Sequence, residues 1–202
     1  MGSELCRRLL FIHALSGCYT SSRPYGISKS SVLNKVMKNQ ELKKCADTFV
    51  KSLSSKSQVI KAGDLAMRLL TGGSKEETLG VHRYKEYKHH VLKGNKAFSP
   101  EYLPPTSGST EQHSLRVWHQ IMAWMGLDLP AEDYGWELNN SKYRAKHTND
   151  PPAPQDLLKS IFCYCKTDCD TKRCTCKRFN LMCTDICGSC QEPKCANASQ
   201  DS

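Results

Sequence analysis

Cys163-Tyr164-Cys165-Lys166-Thr167-Asp168-Cys169-Asp170-Thr171-Lys172-Arg173-Cys174-Thr175-Cys176 opens a run of nine cysteines that continues through Cys183, Cys187, Cys190 and Cys195. The spacing is C-x-C-x3-C-x4-C-x-C-x6-C-x3-C-x2-C-x4-C. Zinc takes four ligands in a tetrahedron and binds thiolate readily. Two separate four-cysteine sites use eight ligands and leave one over. Three ions need twelve metal–sulfur bonds, and nine thiolates supply them when three of the nine bridge two metals each. Nine cysteines therefore match a trinuclear cluster without remainder, with two ions as the alternative. The two C-x-C pairs suit clustering, because thiolates so close together can serve adjacent metals. A disulfide knot is the competing reading. Beside Tyr164, the sizeable apolar groups of this segment are Ile161, Phe162, Phe179, Leu181, Met182 and Ile186. That is too little core to fold the segment unaided, so ligand bonds must supply its folding energy.

The other three cysteines, Cys6, Cys18 and Cys45, are scattered over the rest of the 202 residues. Arg7 and Arg8 precede Leu9-Leu10-Phe11-Ile12 in the manner of a secretion signal, but His13 and Ser16 interrupt the apolar run and no clean small-residue cleavage site follows. Gly2 stands where a myristoyl acceptor would, yet position six is Cys6 rather than Ser or Thr. No run approaches the ~18 apolar residues of a membrane span. These features lead us to expect an intracellular protein, in which clustered cysteines serve metal rather than disulfides.

The net charge of +9 is unevenly spread. Residues 29–96 hold 15 Lys and Arg against 6 Asp and Glu, a net +9, whereas residues 151–202 hold 7 against 6. A basic field this concentrated points to an anionic partner such as nucleic acid, or else to a solvated lysine-rich surface.

Outward from the cysteines the pattern is helical. Leu9, Leu10, Phe11 and Leu15 mark a helix over about 4–16. Val32, Leu33, Val36 and Met37 mark one that Ser30 or Ser31 would cap. Further helices are expected over about 40–53, over 59–71 with Gly72-Gly73 as the stop, and from Val81 to Val91. Ser99 to Thr110 reads as a loop. Leu115, Val117, Trp118, Ile121, Met122, Trp124 and Met125 belong to the most apolar helix. Trp136–Leu138 and Tyr143–Ala145 predict a hairpin around Asn139-Asn140-Ser141-Lys142. Pro151-Pro152-Ala153-Pro154 reads as a stiff linker. The fold class is thus mainly α with a small irregular cysteine-rich zinc-cluster module at the C-terminus. The expected domains are a helical region over 1–128, an extended or hairpin piece with the Pro-rich linker over 129–158, and the zinc module over 159–197. The histidines form no site: His113 and His119 are six apart, which does not place two ligands on one helical face.

The cysteine run resembles the CXC domains of tesmin-type proteins, of polycomb-group methyltransferases and of a dosage-compensation ubiquitin ligase. The resemblance implies a nine-cysteine, three-zinc cluster and, for several members, DNA binding. In tesmin-type domains an aromatic residue just before the second C-x-C enters the minor groove. Here that position is Arg173; the ligase type carries arginine there, and arginine suits a narrow electronegative groove. Residues 163–195 carry six Lys or Arg and four Asp or Glu. A three-zinc, nine-thiolate core contributes −3, which leaves the module near −1. DNA contact would therefore need a local basic face, for which Lys172, Arg173, Lys177 and Arg178 are the candidates.

His13-Ala14-Leu15-Ser16-Gly17-Cys18-Tyr19-Thr20-Ser21-Ser22, followed by Gly26-Ile27-Ser28-Lys29, resembles a second family. These are transposon-associated proteins with H-A-x-x-G-C-D-T-T-S and G-I-G-K stretches, similar in turn to flap-endonuclease and PIN-like nucleases. The resemblance extends through Ala62-Gly63, Leu70, Gly72-Gly73, Leu103-Pro104-Pro105-Thr106-Ser107, His113-Ser114-Leu115-Arg116-Val117, Gly135-Trp136 and the proline linker. Such nucleases hold Mg²⁺ with several carboxylates. Here Tyr19 replaces the aspartate, a poor ligand for a hard cation, and Ser28 replaces a glycine. The part that survives is a phosphate-holding turn with Lys29 and Lys35. The resulting expectation is a nuclear, non-catalytic, zinc-binding protein that contacts duplex DNA. The rivals are a spacer or protein-interaction module with protein partners, and an active metal-dependent nuclease.

Overall fold

The computed structural model describes residues 2–92, 102–148, 163–166, 169–179, 181–183, 187 and 195–198. The chain divides into two compact units, 1–150 and 151–202. Among the described residues the first holds six α-helices: α1 Gly2–Leu15, α2 Lys29–Lys38, α3 Gln40–Phe49, α4 Lys56–Leu70, α5 Leu79–Leu92 and α6 Ser107–Trp124. A 3₁₀ turn, Ala131–Asp133, and a hairpin of β1 Trp136–Asn139 and β2 Lys142–Ala145 follow. The second unit contributes one short helix, α7 Thr175–Arg178. The protein is therefore mainly helical, with a C-terminal cluster of cysteines positioned to bind metal. None of its described helices is long and apolar enough to cross a membrane.

Polar side chains set the helix boundaries. The cap of α2 is Ser28, one position before the Lys29 start; its Oγ accepts from the Ser31 N–H at 3.2 Å. Asn39 both ends α2 and starts α3. Its N–H donates to Lys35 O, while its Oδ1 accepts from the N–H groups of Glu41 and Leu42. The expected helix over 40–53 therefore stops earlier, at Phe49. Ser55 and Gln58 form a reciprocal capping box that starts α4. At its other end Gly73 N–H reaches Arg68 O and Gly72 N–H reaches Leu69 O, a Schellman closure that needs the left-handed φ of +97° at Gly72. Thr106 caps α6, so the loop expected to run to Thr110 already ends there.

The core of this unit lies between α1, α2, α3, α4 and α6. Phe11, Leu15, Val32, Val36, Leu42, Phe49, Val59, Ala66, Met67, Val117, Ile121 and Met122 are buried in it. The Phe11 and Phe49 rings pack at 4.9 Å between centroids, and Arg8 pairs with Asp47 at 2.9 Å beside them. Gly63 lets α4 approach α6, since a Cβ there would lie 1.9 Å from Ser114 Oγ. His113, one of the histidines expected from sequence to form no site, is buried. Its Nε2 donates to Leu15 O at 3.0 Å, and its Nδ1 takes the Ser22 hydroxyl at 3.2 Å. His113 thus ties the turn after α1 onto α6, and Thr20 adds a hydrogen bond to Gln120.

The hairpin pairs Trp136 with Ala145 and Asn139 with Lys142. Asn140 and Ser141 both take positive φ, 48° and 60°, as a two-residue turn between right-twisted strands requires. Leu138 and Tyr143 stay largely exposed, so the hairpin is held mainly at its base. There Arg116 donates to Gly135 O at 3.2 Å and lies over the Trp136 ring. The Pro151–Pro154 linker falls outside the described residues.

Candidate metal centre

Every element of the second unit delivers cysteine. The chain from 163 to 169 carries three, with Cys169 in the left-handed region at φ 57°, a conformation a non-glycine residue adopts only when its surroundings hold it there. The turn at 171–174 then places Cys174 at the N-cap of α7, and Cys176 faces inward from that single turn. The Leu181 N–H returns to Cys176 O at 2.9 Å and brings Cys183 back to the group. Cys163, Cys169, Cys174, Cys176, Cys183 and Cys187 are buried, and Cys165 and Cys195 are half-buried. Cys190 lies outside the described residues.

The sulfur separations identify the chemistry. Cys163 and Cys169 stand 3.8 Å apart, Cys163 and Cys183 3.9 Å, Cys174 and Cys183 3.8 Å, and Cys176 and Cys187 3.7 Å. A disulfide needs about 2.05 Å. Two thiolates on one tetrahedral zinc, each at about 2.3 Å, are separated by about 3.8 Å. The eight described cysteines of the module are unbridged thiols, so the disulfide knot considered from sequence is not what the structure holds.

Three groups of sulfur atoms converge within 4.8 Å: Cys163, Cys174, Cys176 and Cys183; Cys163, Cys165, Cys169 and Cys174; and Cys169, Cys183 and Cys195. The groups overlap. Cys163 and Cys174 are common to the first two, Cys183 joins the first to the third, and Cys169 joins the second to the third.

Electrostatics make the metal-free centre costly to ionise. Burial and the neighbouring Cys187 push the Cys176 thiol far up. Burial likewise raises Cys183 to about 12, against the Asn197 hydrogen bond that lowers it. Burial raises Cys174 too, but the Lys177 backbone N–H and the sulfurs around it prevail and bring it down to about 7. Thiols this close cannot all lose protons unless a cation shares their charge, and a bound dication supplies that.

The residues proposed from sequence for nucleic acid sit as follows. Lys172, Arg173 and Arg178 are exposed, and Arg173 directly precedes the buried Cys174. Lys177 is half-buried and donates to Asp170 O at 2.5 Å, while the Arg178 guanidinium lies 5.6 Å from the Phe179 ring centre. In the first unit, Lys29 is exposed at the start of α2. Lys35 reaches the Leu70 carbonyl at 2.6 Å, on the negative end of α4. Tyr19 is 90% exposed in the turn that His113 anchors.

Sequence reasoning missed Asn197, whose side chain reaches the Cys183 sulfur; a position two residues past Cys195 was its one link to the cysteine run. Set against protein-family models, curated proteins and solved structures, the chain finds no match in any of the three.

Proposed function

We propose that the second unit is a trinuclear zinc–thiolate module that offers an exposed basic turn to duplex DNA, in a non-catalytic nuclear protein. The overlap of the three sulfur groups carries the metal part of this reading. Sulfurs common to two groups are what bridging thiolates look like. Cys169 and Cys183, each in two of the groups, would be two of the bridges, and either Cys163 or Cys174 the third. Cys165, Cys176, Cys187, Cys195 and Cys190 would then serve one ion each, together with whichever of Cys163 and Cys174 does not bridge. Bound zinc would neutralise the thiolates and supply the folding energy that the few apolar residues cannot. Native mass spectrometry of the full chain should report three zinc ions. Two ions, together with a Cys195→Ser variant that loses none, would replace the trinuclear centre with separate four-cysteine sites.

The DNA part rests on Arg173 and Lys172 standing exposed beside a backbone that Cys174 would anchor to metal. It also rests on the likeness of the cysteine run to CXC domains. A side chain on a metal-fixed backbone loses less entropy on binding than one on a free loop. Arg173→Ala should weaken binding to an A·T-rich duplex by about 1–3 kcal/mol and leave zinc content unchanged. Lys172→Ala or Arg178→Ala should cause smaller, sequence-independent losses, as phosphate contacts do. The loaded module's formal charge near −1 favours a second reading, in which it is a spacer or docks protein. Duplex binding untouched by Arg173→Ala selects that reading. The non-catalytic assignment rests on Tyr19 standing where related nucleases carry a carboxylate; Mg²⁺-dependent cleavage abolished by Tyr19→Phe would reverse it. The degenerate-nuclease ancestry of the helical unit is part of the same proposal and rests on its sequence strings alone.

A further inference from the structure

Past its last cysteine the chain turns back onto the metal centre. The Cys183 N–H donates to Asn197 O at 2.7 Å, and Cys183 and Ala198 form a parallel bridge. The Asn197 side chain closes the same contact. Its Nδ2 donates to Leu181 O at 2.9 Å and to Cys183 Sγ at 3.3 Å. Both partners are acceptors, a carbonyl oxygen and a ligand sulfur. That pairing settles which end of the amide faces them. Asn197 therefore grips the backbone at Leu181 and at Cys183 itself and also touches the Cys183 sulfur. That sulfur belongs to two of the three converging groups.

We infer that Asn197 is a positioning residue of the metal centre, fixing Cys183 through Leu181 O and drawing charge from its sulfur through an N–H···S hydrogen bond, so that metal is held longer. This inference rests on the thiolate metal reading above. A sulfur bonded to its Cβ and to two metals keeps one lone pair, and a single N–H donor suits it. Partners of this kind orient ligands and tune their donor strength. The same nitrogen heads the glycosylation tripeptide Asn197-Ala198-Ser199. A glycan on Nδ2 leaves one N–H where this contact uses two, so an occupied sequon would break one of the two hydrogen bonds.

The test compares the full-length wild type with Asn197→Asp, which keeps the size but turns an acceptor toward the sulfur, and with Asn197→Ala, which removes the donor without adding charge. Each is loaded once with zinc and once with cobalt(II). Both variants should pass zinc to a chromogenic chelator about 10–100-fold faster than wild type, in line with the loss of an outer-sphere partner. The sulfur-to-cobalt charge-transfer band should move to lower energy, because a sulfur without its hydrogen bond gives up an electron more easily. If Asn197→Asp takes up no cobalt, Asn197→Ala decides. Wild-type release rates and an unmoved band in Asn197→Ala overturn the inference. Faster release with an unmoved band overturns it as well, because only loosened backbone would then be at work. A wild-type chain that binds no cobalt instead sinks the metal reading itself and is told apart by that control.

Discussion

The two units bury different side chains for different reasons. In the helical unit the fully buried groups include Phe11, Leu15, Phe49, Met67, Ile121 and Met122, which leave water favourably. In the cysteine unit the equivalent places belong to Cys163, Cys169, Cys174, Cys176, Cys183 and Cys187. A buried thiol is a small hydrophobe and gains little from burial. Among the described residues, six of them with half-buried Leu181 against them make a small core for a chain of this size. The first unit can fold by excluding water, whereas in the second the buried places are held by cysteines positioned to bind metal. Burial alone does not reveal what stabilises a fold; the identity of the buried atoms does.

Metal removal breaks the comparison most forcefully. Each structural zinc in small domains contributes on the order of 10 kcal/mol or more of apparent binding energy. A strong chelator with a reductant should therefore unfold the module and spare the helices. All three tryptophans, Trp118, Trp124 and Trp136, lie in the first unit. Their fluorescence should stay native while amide exchange at 163–198 becomes fast. Joint loss of both signals would show that the helical unit depends on the metal.

Acid should act on the helical unit through His113. Burial, aided by the nearby Arg116 charge, depresses its pKa from 6.5 to about 4, against the hydrogen bond to Leu15 that raises it. The unfolded chain takes up the proton first as pH falls. The stability linked to neutral His113 is therefore complete above about pH 6.5, declines below it and is lost by about pH 4; it amounts to about 3 kcal/mol. Urea midpoints followed by tryptophan fluorescence should fall over that window in wild type. His113→Gln, which cannot titrate, should be destabilised at neutral pH yet show a flatter profile between pH 6.5 and 4. Parallel profiles for the two proteins would remove His113 as the cause.

Gly63→Ala is the finest probe of the difference. The added Cβ would meet Ser114 Oγ at 1.9 Å and its Cβ at 2.6 Å, so α4 and α6 must separate or Ser114 must turn. Overpacking of this kind costs about 1–3 kcal/mol. The tryptophan-detected midpoint should drop while zinc stoichiometry holds. A smaller Ser114→Ala loss, with partial recovery in the double variant, would assign the cost to this contact.

Much of the helical unit was legible because its signals are local. Val59, Ala66 and Leu70 repeat on one face, and Gly72-Gly73 stops the helix where the sequence said it would. The hairpin turn was legible from Asn140-Ser141, since asparagine tolerates positive φ. His113 was not legible: its partners, Leu15 and Ser22, lie 98 and 91 residues away. Neither was Lys35. On the sequence it is one more charge in a basic stretch, but from the surface it reaches the carbonyl end of α4, so this part of the apparent basic surface serves a helix end of the fold. The candidate metal centre divides the same way: nine cysteines and their spacing point to a metal-binding cluster, but spacing says nothing about which sulfur lies between two groups.

Legible along the chain was therefore what depends on near neighbours: the helical periodicity, the turn residues, and a dense run of thiols of the kind that holds metal. What only the tertiary structure decided were relations between distant residues. Gly63 faces Ser114, His113 closes on Leu15, and Cys163, Cys169, Cys174 and Cys183 each belong to two sulfur groups. Asn197 crosses back to Leu181 and Cys183 in the same way. The physical reason is that side-chain periodicity and backbone preference act over a few residues, whereas a tetrahedron of sulfurs or a buried imidazole is satisfied only by atoms that the folded chain brings within about 4 Å.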